Sequence, residues 1–544
     1  MGKRDREILK NICIESVAAE GNALAHVNGK ALFVPLCVPG DIVNVQVTHK
    51  KKNYMEGYML ELVTPSPMRL APFCSHFGDC GGCRWQPIPY EKQLEFKQQQ
   101  VVDQLTRIGK LDLPVIAPIM ASENTVRYRN KLEFTFSNSR WVTFEELRQE
   151  ADTRVTARGA VPLPVSGSAQ AKVSGAVSTS GYESTPEATP GTSPLPPSLS
   201  ALKTAPSHAP LSPPLLPPSA AQSPALGFHV RGRFDKVLDI ETCHLQDEPS
   251  NAIRVAVRDY AIEKGLSFFD LRQQTGFLRT LMIRITLTGE VMVVVVFAHD
   301  NPEAGEDDAA RKALLDYLQH TFPQITSLHY IINTKRNDSL GDQEVIHYAG
   351  KPYIVETMED LEFRIGPKSF YQTNSLQALR MYQKIREYAD LQGDETVYDL
   401  YTGTGTIALF LARHCRRVTG VEYVPEAIDD ARKNASANHI ENVRFFAGDM
   451  KDVLTADFIA AEGHPRVVVL DPPRAGVHEN VLKVLLETAP EKIIYVSCNP
   501  ATQARDLALL QPAYRITHVQ PVDMFPHTHH VENIVVAEKI LHAS

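Results

Sequence analysis

Three groups of residues in this 544-residue chain have types and spacings that could carry chemistry. The first is Cys74, Cys80 and Cys83, spaced C-x5-C-x2-C within CSHFGDCGGCRW. Three thiols so close, with Gly78, Gly81 and Gly82 allowing tight turns, suit a loop wrapped round one centre. A fourth ligand must come from elsewhere, and Cys243 in IETCHLQ is the best placed. Four thiolates suit either zinc or a 4Fe–4S cluster, and the spacing does not choose between them. Cys13, Cys37 and Cys415 stand alone and read as core or surface thiols. The second group is Asp471-Pro-Pro-Arg474 together with Cys498 in VSCNP. Two prolines make a rigid turn, and a cysteine at a strand end is a candidate nucleophile. A D/N-P-P turn can also hold a planar amine, so the motif alone leaves two chemistries open. The third is HTHHVENI, with His527, His529, His530 and Glu532. Its histidines lack a partner cluster at metal-ligand spacing, and Glu532 is the more attractive group, as a general base.

A fourth pattern looks built to bind rather than react. Residues 399–406, DLYTGTGT, end one strand and open a helix, and two glycines let backbone approach a ligand. Glu422 ends the next strand, where an acid can hold two ribose hydroxyls, and Asp449 ends the third. There is no third glycine in the dinucleotide spacing and no P-loop lysine, which disfavours NAD and ATP. Acids at successive strand ends without a phosphate cradle fit S-adenosylmethionine. Each acid taken singly reads equally as a helix N-cap.

These residues need elements to position them. Up to about residue 65 the chain reads as short strands, with turns at Asn28-Gly29 and Pro39-Gly40, which suits a small barrel. Residues 89–109 read as a helix, and TVRYRNKLEFTFS as a strand presenting Arg127, Arg129 and Lys131 outward. LMIRITLTGEVMVVVVFA reads as a hairpin turning at Gly289, AARKALLDYLQHTF as a helix. From about residue 366 strands and helices alternate, the pattern of a doubly wound sheet. Residues 151–226 break the pattern. Fourteen of the chain's 37 prolines fall between Pro162 and Pro224, among Ser, Ala and Thr. Such a stretch buries too little apolar surface to offset ordering entropy, and it reads as a disordered insertion. The formal charge of −8, from 56 basic and 64 acidic residues, excludes a protein that coats nucleic acid by bulk charge. Local basic faces remain, near Lys50–Lys52, Arg127–Lys131 and Arg279–Arg284. No run of 18 apolar residues suggests a membrane span, and the charged start lacks a signal core, so a cytoplasmic location is expected.

Taken in order, FYQTN (Phe370–Asn374), DLYTGTG, DPPRAG, SCNP and MFPHTHHVE resemble the motif set of the class I adenosylmethionine-dependent RNA uracil-5-methyltransferases. The resemblance covers nearly the whole chain outside the insertion. It implies an α/β architecture in three parts: an OB-like β-barrel of the TRAM type at 1–65, a central α+β RNA-binding domain with an iron–sulfur loop at 66–365, and a Rossmann-like methyltransferase domain at 366–544. It implies Cys498 as nucleophile and Glu532 as base. Gln372, Tyr401, Thr406, Glu422, Asp449 and Asp471 match the cofactor positions, although many relatives have Asn where Thr406 stands. Cys74, Cys80, Cys83 and Cys243 match 4Fe–4S ligands, which favours that cluster over zinc. The implied partner is RNA, 23S ribosomal RNA ahead of tRNA, with the chain acting as a monomer. An idle RNA-binding assembly factor and an amino-group methyltransferase are the competing classes. The first is disfavoured by the intact Cys498 and Glu532, and the second would not need Cys498.

Overall fold

The computed structural model describes residues 7–143, 146, 223–298 and 306–541. Residues 1–142 and 212–544 belong to one compact unit and 143–211 to another. The expectation for residues 151–222 lies outside the described residues. Regular structure resumes inside the range assigned to the insertion, since a strand already spans Ala225–His229.

The first sheet has six strands, in the order Ile8–Cys13, Ile42–Lys50, Tyr54–Thr64, Lys30–Val34, Ala23–Val27 and Ser16–Val17. Alternation drives it: Val43, Val45 and Val47 turn inward, while Asn44, Gln46 and Thr48 face outward. Helix α1 (Tyr90–Arg107) follows.

The second sheet has seven strands, ordered Val345–Gly350, Ile325–Ile332, Val291–Phe297, Leu278–Ile285, Lys131–Ser137, Ala225–His229 and Val237–Asp239. Helices α2 (Ser250–Glu263) and α3 (Glu306–Thr321) share its apolar core through Ile253, Val257, Leu314 and Leu318. The hairpin turning at Gly289 is present, with Ile285 opposite Val291. Two readings need correction here. Residues 125–130 are not strand, which begins only at Lys131, and Arg127 sits in the left-handed region at φ 53°. Arg279 and Arg284 are not a nucleic-acid face but are buried. Arg279 donates to the carbonyls of Asn333, Lys335 and Asn337, and Arg284 to that of Ser369. Val291–Phe297 runs buried on both faces, so the middle of this sheet has no solvent side for an arginine to take.

The third sheet is built from β1 (Thr396–Leu400), β2 (Arg417–Glu422), β3 (Val443–Ala447), β4 (Val467–Leu470), β5 (Lys492–Ser497), β6 (Tyr514–Val522) and β7 (Glu532–Lys539). Their order is β3-β2-β1-β4-β5-β7-β6. Strands β1 to β5 pair in parallel, while β7 inserts antiparallel between β5 and β6. Among its helices are α4 (Ser375–Ala389), α5 (Thr406–Ala412), α6 (Pro425–Ala437) and α7 (Pro500–Leu510). The carboxyl ends of β1, β2, β4 and β5 therefore share one edge, and the antiparallel β7 begins at that same edge.

Candidate active site

The binding half is made by β1 and β2. After Leu400 the chain turns sharply, with Tyr401 at φ 67°, Gly403 at 56° and Gly405 at 80°. Gly405 has no alternative: a Cβ there would sit 2.9 Å from the Phe445 ring and 3.0 Å from Ala431. A Cβ on Gly403 would meet nothing within 4 Å, so its backbone faces open space. The Glu422 carboxylate accepts from the amides of Gly403 (3.2 Å) and Val424 (3.0 Å), which fixes its place beside that space. Asp399 is fully buried, and its carboxylate accepts from the Thr402 hydroxyl. Burial, then the Asp471 charge, pushes the Asp399 carboxyl up to about 7 against the Thr402 bond. Thr406 opens α5 and lies 3.4 Å from the Thr404 hydroxyl. Asp449 caps the short helix after β3 and is ion-paired to Lys451, whose ammonium holds its carboxyl below the usual range. Gln372 is half-buried, and its carbonyl accepts from Asn130. An adenosyl ligand fits here on the molecule's own terms: open backbone at Gly403 and a fixed acid at Glu422 beside it.

The reactive half lies at β4, β5 and β7. Ser497 pairs in register with Asn533, which sets Cys498 opposite Glu532 at the sheet edge. Both groups lie in low-dielectric surroundings. Burial pushes the Glu532 carboxyl up to about 8, Asp471 adds to this, and Arg474 opposes it. Burial likewise pushes the Cys498 thiol up to about 11, with Glu532 raising it and Arg474 lowering it. Burial alone raises Asp471 to about 7. Arg474 is a cation that acts on both Cys498 and Glu532. Its backbone carbonyl accepts from Asn499 (3.1 Å) and Thr502 (3.2 Å), at the N-terminus of α7. Cys498 thus sits beside a guanidinium and just before a helix N-terminus, the two surroundings that favour a thiolate. The sheet edge brings Cys498, Glu532, Asp471 and Arg474 together.

His527, His529 and His530 are held neutral: burial lowers them to about 4, 3 and 4. Among the described residues no three His, Cys, Asp or Glu side chains are arranged to hold a metal ion. The loop cysteines are nevertheless neighbours. Burial pushes Cys80 up to about 12, and the Cys83, Cys243 and Cys74 charges add to it. Cys83 rises to about 11 with Cys243 and Cys74 contributing, and Cys74 and Cys243 are raised chiefly by burial. Cys80 bridges to Val230, and Cys80 and Cys243 pack on Val230, Leu238 and Ile240. Of the lone thiols, Cys37 and Cys415 are buried and Cys13 is exposed. One further ion pair carries no mark in the sequence: Lys97 with Asp523, both side chains fully buried, at the start of the loop that leads to Glu532.

Comparison with known proteins agrees with this geometry. The profile described as tRNA (Uracil-5-)-methyltransferase matches residues 277–540, and that of the tRNA (uracil(54)-C(5))-methyltransferase TRAM domain matches 11–68. An uncharacterized RNA methyltransferase of Porphyromonas gingivalis is 51% identical over 96% of this chain and 98% of its own. The chain belongs to the RNA (uracil-5-)-methyltransferase family. Another member, from Bacteroides thetaiotaomicron, is 48% identical over 96% of this chain and all of its own length. Among solved structures, the Pyrococcus abyssi tRNA (uracil-54, C5)-methyltransferase in complex with S-adenosyl-L-homocysteine aligns over 97% of this chain and 100% of its own. The TM-score is 0.65 and the identity 25%. The family has an α/β methyltransferase fold with an N-terminal TRAM domain, and its members are S-adenosylmethionine-dependent enzymes acting on RNA. No described helix is long and apolar enough to cross a membrane.

Proposed function

We propose that this enzyme methylates C5 of a uridine in a structured RNA, with Cys498 as nucleophile and Glu532 as base. The observation that carries the reading is the placement of Cys498 opposite Glu532 across β5 and β7, with Arg474 acting on both. Uracil C5 is a poor nucleophile. The Cys498 thiolate adds to C6, its sulfur–carbon bond forming as electron density moves to C5 and the O4 enolate. Bound S-adenosylmethionine supplies an electrophilic methyl group to C5. Glu532 then takes the C5 proton, the C6–sulfur bond breaks, and Cys498 leaves as thiolate. The target base must leave its stack to reach Cys498. Glu422 would hold the ribose and Asp449 the adenine amine of the bound cofactor, with Gln372, Tyr401, Thr406 and Asp471 completing its site. The three sheets divide the work as a TRAM barrel at 1–65, a central RNA-binding part at 66–365 and the methyltransferase part at 366–544.

Cys74, Cys80, Cys83 and Cys243 hold a 4Fe–4S cluster in this reading. The donor set supports it: four mutually interacting thiols without a carboxylate, and Arg129, Arg231 and Arg254 close enough to act on them.

The pairing of a cysteine cluster with a TRAM barrel points to 23S ribosomal RNA as substrate. The likeness to the P. abyssi tRNA enzyme along 97% of the chain favours a second reading, a tRNA uridine. Nucleoside mass spectrometry of separated ribosomal and transfer RNA from a deletion strain decides. Loss of 5-methyluridine from 23S RNA supports the first, loss from tRNA the second, and loss from neither refutes both.

A further inference from the structure

The sheet sets the register of Cys498 and Glu532, but it does not set the residues between β6 and β7, which run from Asp523 to Val531 and deliver Glu532. Four consecutive carbonyls in that loop are each captured by a donor from elsewhere in the chain. Met524 accepts from Asn374 (3.0 Å), Phe525 from the Lys97 ammonium (3.0 Å), Pro526 from the Tyr128 hydroxyl (3.1 Å), and His527 from the amides of Arg84 and Trp85 (2.8 and 3.0 Å). The Gln93 side chain accepts from the His527 amide (2.8 Å) and donates to its ring. His527 holds a left-handed φ of 65°, a conformation that persists only where surroundings over-determine it. Lys97 is wholly buried, 2.5 Å from Asp523. Helix α1, which bears Gln93 and Lys97, also packs through Val101 and Leu105 against Ala504 and Leu507 of α7, the helix that begins just after Cys498. One helix therefore touches the segments carrying both reacting groups.

We propose that α1 and the captured 524–527 backbone form a clamp that positions Glu532, with Lys97 and Tyr128 as its positioning residues. This rests on Glu532 being the base. Lys97 and Tyr128 serve proton removal rather than thiolate addition, because their hydrogen bonds go to Asp523, Phe525 and Pro526 in the loop that precedes Glu532, whereas α1 meets α7 through the separate apolar contacts of Val101 and Leu105. Breaking those hydrogen bonds therefore slows release of the methylated covalent adduct more than its formation.

The test uses the full-length enzyme with S-adenosylmethionine and transcripts of 23S RNA and of tRNAs, made with uridine or with 5-fluorouridine. Fluorine at C5 cannot leave as a proton, so adduct formation on the fluorinated RNA reports Cys498 addition and methyl transfer without Glu532. Lys97→Met should lower turnover on uridine RNA about 100-fold, the scale of a 1 Å misplacement, and accumulate methylated adduct on a denaturing gel. Tyr128→Phe, which removes one hydroxyl and keeps the fold, should do the same more weakly. Both should trap on fluorinated RNA at the wild-type rate. Equal losses of turnover and trapping, or unchanged turnover in both variants, overturn the clamp. Failure of wild-type enzyme to trap on either fluorinated RNA overturns the catalytic reading, and the clamp with it.

Discussion

Cys498 and the cysteines of the 74–83 loop share one property and differ in another. Burial lifts the thiols of Cys498 and Cys83 alike to about 11, and Cys80 to about 12. Their neighbours separate them. Around Cys80 stand other thiols, which raise it further. Around Cys498 stand two carboxyl groups, a guanidinium and a helix N-terminus. Desolvation alone does not assign a thiol to catalysis or to a structural centre; the charges facing it do.

That contrast can be broken. Cys498→Ala should cost at least about a thousandfold in turnover while RNA retention on filters is kept, and a normal methylation rate would end the mechanism. Glu532→Gln should cost about 10² to 10⁴-fold and leave a methylated RNA–protein adduct as a shifted gel band. Turnover by wild-type enzyme should rise with pH between 6 and 8 more steeply than trapping on 5-fluorouridine RNA does, because both need the Cys498 thiolate, whose thiol is pushed up to about 11, and only turnover also needs Glu532, pushed up to about 8, to lose its proton. A rate falling over that interval would assign Glu532 to the acid role. Cys80→Ser should lower iron and sulfide content under anaerobic purification, and the thermal midpoint, while trapping on 5-fluorouridine RNA stays within a few-fold. Loss of trapping in a folded, iron-free Cys80→Ser protein would show that the two thiol regions are not separate.

The strand-end acids and Cys498 were legible because a parallel sheet forces its carboxyl ends to one edge, so motif order along the chain becomes proximity in space. The insertion of β7 between β5 and β6 was not legible, since nothing local records which edge an antiparallel strand joins. Arg284 was misread because a charged residue alternating with apolar ones in LMIRI looks solvated, whereas it serves a buried carbonyl. Lys97 was missed for the same reason: in EFKQQQ it reads as part of a wet helical face, and only a residue 426 positions away explains its burial.

That separation has a consequence for synthesis. At about 5 to 20 residues per second, Asp523 emerges roughly 20 to 90 s after Lys97. Until then α1 cannot settle, because burying an unpaired ammonium is far costlier than leaving it in water. Helix α1 of the nascent enzyme must wait, its apolar face at Val101 and Leu105 uncovered, for nearly the last strand to leave the ribosome. A chain cut short before residue 523 would lack the partner that lets α1 close, making it a natural client for chaperones or proteases.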